Sequence, residues 1–170
     1  MKIDLMDFPK ETLVEVIKMY SKNVLAVDGL WFLGCENRFG IEKAIEIDTE
    51  VWRLYGTIEA KRIKEVLNIK EKGIPALAKA LNLQIWLPCM DYGFSEVSDK
   101  KIVFTITDCR PQKARIRKGI GEFACKPVGI ALFEAFAREI NPNMTCECLV
   151  CPPDEHPEDV WCSWCFEIAD

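Results

Sequence analysis

An α+β fold is what this chain predicts: long N-terminal helices packed on a small, about four-stranded antiparallel sheet, with a further helix. Three observations carry that reading. Apolar residues in the first part of the chain recur at helical spacing, two middle segments alternate as strands do, and two more alternating runs follow one last helical stretch. Helices first and strands clustered afterwards point to an antiparallel sheet rather than to alternating βαβ units. The 170 residues are 49% hydrophobic and 29% charged, material for a single domain over 1–170 whose core needs no staples. No internal repeat, low-complexity segment or linker divides it.

Taken in order, Asp7 before Phe8-Pro9-Lys10-Glu11 reads as a capped helix start. Leu13, Val16, Ile17, Tyr20 and Val24 follow at helical spacing, with a possible break near Asn23 and closure at Gly40. A second helix runs from about Ile41 to Leu67. Its apolar stripe is read as Ala44, Ile47, Val51, Tyr55, Ile58 and Val66, with Asp48 and Arg62 as polar exceptions. Gly73 and Pro75 punctuate before a short helix over Ala76–Leu81. Leu83–Leu87 and Lys101–Asp108 alternate around a turn at Ser98–Lys100 and predict a hairpin. The basic segment Arg110–Lys118 closes at Gly119 and Gly121 and reads as a charged connection. Pro127 to about Ile140 is an amphipathic helix stopped by Asn141-Pro142. Met144–Val150 and Asp159–Ile168 close the chain as strands.

The net charge of −5 argues against a nucleic-acid binder, which normally carries a basic balance. The opening residues have acids where a secretory signal needs an apolar core, and the apolar run Val24–Cys35 is too short to span a bilayer and contains Asp28. A cytoplasmic protein with no membrane partner is expected. In that reducing setting nine cysteines suggest metal ligation or thiol chemistry rather than disulfides. Isolated Cys35 and Cys89 are read as small buried hydrophobes.

The C-terminal run Met144–Cys165 holds Cys146, Cys148, Cys151, Cys162, Cys165 and the single histidine, His156. Cysteines at element ends make better ligands than those within elements. Cys109 ends a strand, Cys125 precedes a helix, Cys151 begins a proline-rich loop and Cys162 lies in the last strand. Alternation along that strand sends Cys162 and Cys165 to opposite faces, so Cys162 is the one chosen. The expected metal ligands are Cys109, Cys125, Cys151 and Cys162, with Cys148 and His156 in reserve. Zinc and an iron–sulfur cluster fit thiolates equally well at these spacings. His156 and Asp154 are the candidates for moving protons. Arg110, and with it Lys126, are the candidates for holding an anionic group. Trp31, Phe32, Trp52 and Tyr55 are placed around an apolar pocket between the first two helices.

Several motifs taken together resemble an uncharacterised family of small cysteine-containing cytosolic proteins: Asp28-Gly-Leu-Trp-Phe, Asp108-Cys-Arg110, Cys125-Lys-Pro-Val-Gly129, Cys151-Pro-Pro-Asp-Glu-His-Pro157 and Trp161-Cys-x-Trp164. The likeness covers nearly the whole chain, and its cysteines are the four chosen above. More distantly the chain is similar to 4-vinyl-reductase-type ligand-binding domains and to 2-aminothiazoline-4-carboxylate hydrolases. That resemblance implies a small-molecule-binding α+β domain. It carries no haem over, because no histidine is placed on a helix as a haem ligand would be.

Three functional expectations follow. The first is a small-molecule-binding domain, with an anionic ligand, organised by cysteine-ligated zinc or an iron–sulfur cluster. The second is a metal-assisted hydrolase of a small carboxylated heterocycle. The third is a homodimeric interaction module in which the metal only braces the sheet.

Overall fold

The computed structural model describes residues 3–168. A 3-10 turn at Leu5–Asp7, capped by Asp4, precedes helix α1, Lys10–Phe39. Asp7 is therefore not the cap of α1; Pro9 occupies the N-cap position, and no side chain caps the helix. Nor does α1 break near Asn23: it is helical throughout, since asparagine inside a helix costs only a fraction of a kcal/mol. Gly40, at φ +86°, makes the abrupt turn into α2, Ile41–Leu67. Asn68 closes α2 in the left-handed conformation, which asparagine tolerates better than most residues.

Helix α3 spans Ile74–Leu81. The Leu83–Leu87 strand is not formed: that stretch is a turn running into a 3-10 helix at Leu87–Cys89. Trp86 and Leu87 enter the core from irregular backbone while Leu83 stays exposed, and Pro88 suits the 3-10 turn better than a ladder. The first strand is instead β1, Asp91–Ser95, paired with β2, Lys101–Asp108, around the expected turn. The basic connection is a helix, α4, Arg110–Arg117, with Pro111 in its first turn. Helix α5 spans Lys126–Ile140; β3 is Met144–Val150 and β4 is Cys162–Ile168. All strand pairs are antiparallel, in the order β1-β2-β4-β3. The fold is α+β, as the sequence predicts.

Helix α5 ties the helices to the sheet. Its Phe133 ring stands 4.9 Å from Trp164 and 5.8 Å from Phe166 of β4, and 5.9 Å from Phe104 of β2. Behind it α2 packs at very short range: a Cβ on Gly56 would lie 2.7 Å from the Leu132 carbonyl oxygen. Ala44, Gly56, Glu59, Ala60 and Ile63 are the buried residues of α2. The expected stripe is therefore rotated, for Ile47, Val51, Ile58 and Val66 face water. Small residues won the inner face because α2 must approach α5 closely.

Among the described residues no helix is long and apolar enough to cross a membrane.

Candidate functional site

An open cavity of about 460 Å³ lies between α1, α2, α4, α5 and the sheet, within the size range of small-molecule sites. One wall comes from the long helices, with Asp28, Phe32, Asp48 and Trp52. The opposite side carries Cys109, Cys125, Cys151 and Cys162. All four cysteines chosen from the sequence therefore line one cavity, although they come from the end of β2, the approach to α5, the loop after β3 and the start of β4.

Local hydrogen bonds fix that convergence. The fully buried Gln112 of α4 donates through Nε2 to the Phe123 carbonyl (2.9 Å) and to Cys125 Sγ (3.3 Å), and its Oε1 accepts from the Phe123 N–H (3.1 Å). The Lys126 N–H donates to the Pro152 carbonyl (3.0 Å) and draws the loop after Cys151 onto the start of α5. Cys125 Sγ and Cys151 Sγ are 3.4 Å apart. Strand register does the rest. Cys148 lies opposite Trp164, and Ile106 opposite Cys162, on the sheet face that meets α5.

Cys151 is the hub of these thiols. Its hydrogen bonds with Cys125, Cys148 and Cys162, followed by burial, push its own thiol far up, so it keeps its proton. Hydrogen bonding from Cys151 lowers Cys125 and Cys148 below the ordinary thiol range. Burial holds Cys109 up, with the nearby Cys162 and Cys125 adding to it. Cys148, a reserve on sequence grounds, is thus drawn into the centre. Cys146 is raised by burial, and Cys165 lies on the opposite face of β4, hydrogen-bonded to Glu167.

Among the described residues no group of three or more His, Cys, Asp or Glu side chains is placed so that it could hold a metal ion without moving. The 3.4 Å separation is that of a thiol hydrogen bond. Two thiolates sharing a tetrahedral zinc with bonds of about 2.3 Å lie about 3.8 Å apart. Metal entry would replace the shared protons and open the thiols by a few tenths of an ångström.

The other candidates lie elsewhere. His156 is not part of the cavity lining: its Nδ1 is 3.0 Å from the Pro157 carbonyl, its Nε2 3.4 Å from Glu122, and its ring rests against Trp161. The contact with the Pro157 carbonyl, then Glu122, raises its pKa. Asp154 is held 2.7 Å from Lys126, so each neutralises the other outside the cavity. Arg110 does border the cavity, with an exposed side chain. Phe32 and Trp52 line it as expected, whereas Trp31 points to solvent at 74% exposure.

Two features were missed in the sequence. Arg115 was read as part of a charged connection, yet it is buried. It forks onto Glu36 at 2.7 and 3.1 Å, donates to the Gly121 carbonyl, and lies over the neighbouring rings of Phe32 and Phe123, 5.6 Å from each centroid. It clamps α4 to α1 beside the cavity. The second is the pair Asp28 and Asp48. Burial raises them to about 6 and about 7, Asp28 adds to the rise of Asp48, and Trp52 opposes the rise at both. An acid breaking an apolar stripe was the available signal, and Asp48 was noted as one.

Residues 6–168 match the model of a family of unknown function, DUF6125. The chain belongs to that family. No curated protein and no solved structure matches it. Membership in DUF6125 is consistent with the resemblance to an uncharacterised family drawn from the motifs.

Proposed function

We propose that this DUF6125 chain is a small-molecule-binding domain whose cavity is floored by a cysteine-ligated metal, zinc or iron–sulfur. The observation that carries it is that Cys109, Cys125, Cys151 and Cys162, from separate parts of the chain, line one largely apolar cavity, with Cys125 Sγ and Cys151 Sγ 3.4 Å apart. Thiol groups brought together from four separate elements are an unusual arrangement for inert packing. Soft thiolates select zinc, copper(I) and iron–sulfur clusters, and Cys125 and Cys148 are already biased toward ionisation. The hydrolase alternative gains no such support, because His156 and Asp154 lie outside the cavity.

Cobalt(II) titration of the reduced protein tests the site. About one equivalent should produce intense thiolate charge-transfer absorption and the visible bands of a tetrahedral ion. Cys151→Ser should abolish both, because Cys151 lies 3.4 Å from Cys125 and shares the cavity lining with Cys109 and Cys162, while Cys35→Ser on α1 should change nothing. Weak, octahedral-like spectra in the unmutated protein would contradict the proposal.

A second reading, homodimerisation through the N-terminal helices, is favoured by one specific observation. Ile17, Tyr20, Val27 and Trp31 are 56%, 58%, 56% and 74% exposed, and they form an apolar stripe on α1 separate from the face that lines the cavity. Between Ile17 and Trp31 it runs about 20 Å at 1.5 Å per residue, and α2 adds Ile47, Val51, Leu54 and Ile58. Contiguous exposed apolar surface of this kind marks interaction sites, and two-fold pairing is the commonest way to bury it. Light scattering at micromolar concentration should report twice the chain mass, and Trp31→Glu should shift it to monomer. A monomeric unmutated protein would rule the pairing out.

A further inference from the structure

Where a charged group of the ligand would sit is decided by which charges around the cavity are already satisfied. The basic side chains bordering it divide into two kinds. Lys22, Arg110, Arg117 and Lys118 are exposed at the rim, where water solvates them and an added anion gains little. Arg115 is buried but spent on Glu36. The acids differ. Asp28 from α1 and Asp48 from α2 are partly buried in an otherwise apolar wall, close enough to repel one another, and among the described residues neither has an ion-pair partner. Trp52, which lines the same cavity, is a neighbour that both acids share. Two carboxylates held together without a cation are costly unless something positive arrives between them.

A second, independent observation also points to a missing occupant. Trp86 and Trp164 line the same cavity and are 7% and 1% exposed, yet among the described residues the indole N–H of each has no hydrogen-bond partner. Buried donors are nearly always satisfied. Two orphaned donors and two unpaired acids around one cavity describe a bound molecule with an acceptor on its body and a cation at its head.

We propose that Asp28 and Asp48 receive a protonated amine, so that the ligand of this cavity is an amphipathic amine: an apolar, aromatic-sized body with an ammonium group directed at the α1–α2 wall. This rests on the reading of the cavity as a small-molecule site, and it replaces the anionic ligand expected from Arg110. The thiol cluster occupies the other side of the cavity and is free to meet the far end of the ligand.

Calorimetric titration of the full chain with three probes of nearly equal size, 2-phenylethylamine, 2-phenylethanol and phenylacetate, tests the proposal near neutral pH. The amine should bind at least about tenfold more tightly than the alcohol, the scale of one charge-assisted hydrogen bond. In Asp28→Asn/Asp48→Asn the amine should fall to the level of the alcohol, while the alcohol keeps its affinity and so reports an intact cavity. An amine that binds no better than the alcohol overturns the amine proposal and leaves the cavity reading standing. Tightest binding by phenylacetate, lost in Arg110→Gln, overturns it in favour of an anion at the rim. Failure of all three at millimolar concentration overturns both the amine and the small-molecule reading.

Discussion

Gly56→Ala is expected to destabilise the protein by about 3 kcal/mol, at the upper end of overpacking costs. The added methyl would lie 2.7 Å from the Leu132 carbonyl oxygen and 3.1 Å from its Cδ1. A backbone oxygen cannot rotate away as a side-chain tip can, so α2 and α5 must separate. That separation would reach the cavity, because Leu132 and the neighbouring Val128 line it. Gly29→Ala is the matched control. Gly29 lies in α1 with nothing within 4 Å of its would-be Cβ, so alanine there should raise stability by up to about 1 kcal/mol through helix propensity alone. Urea denaturation of the two variants checks both signs; a neutral Gly56→Ala would show that α2 and α5 are not held at this distance.

Stability should fall as pH rises through the weakly acidic range, the reverse of the usual acid denaturation. Glu59, 5% exposed on α2, is raised by burial to about 7 from 4.5, although the Ile85 N–H (2.6 Å) and the Tyr55 hydroxyl (3.3 Å) donate to its Oε1. Its Oε2 has no partner, which suits a protonated acid. Between about pH 4.5 and pH 7 the folded state holds a proton that the unfolded state has released, so stability is fully present below that window and lost across it. The loss from Glu59 alone is of order 3 kcal/mol at about 1.4 kcal/mol per unit. Asp28 and Asp48, raised to about 6 and about 7, act in the same direction. Glu59→Gln keeps an acceptor for the Ile85 N–H and removes the titration. It should be more stable than the unmutated protein above neutrality and show a shallower pH slope in urea denaturation. A variant with the same slope would remove Glu59 as its source.

The elements that sequence exposed best were those whose ends carry their own chemistry. Helix α2 was read at its observed start because Gly40 must turn the chain; its end at Leu67 is closed by Asn68 in the left-handed conformation. Strands β2 and β3 alternate because one of their faces packs on α5. Less legible was anything decided by tertiary contact. The buried face of α2 is made of alanine, glycine and a glutamate, so periodicity selected the larger residues that in fact face water. Leu83–Leu87 alternates, yet Glu59 takes its Ile85 N–H and no neighbouring strand does. Helix α4 was hidden by its charge, with Pro111 in its first turn as the overlooked cue.

For the site, the rule that ligands lie at element ends found Cys109, Cys125, Cys151 and Cys162, all of which line the cavity. It placed Cys148 in reserve because position along a strand does not tell which strand lies opposite. Asp28 and Asp48 were beyond reach as a pair: their placement around one cavity depends on α1 and α2 folding back at Gly40.

Metal content of protein purified without oxygen tests the central claim most directly. The account predicts about one zinc per chain, or iron and sulfide with a brown colour, lost in Cys151→Ser and retained in Cys35→Ser. Trace zinc and iron only, with all nine cysteines reacting as free thiols once the chain is unfolded, would contradict it.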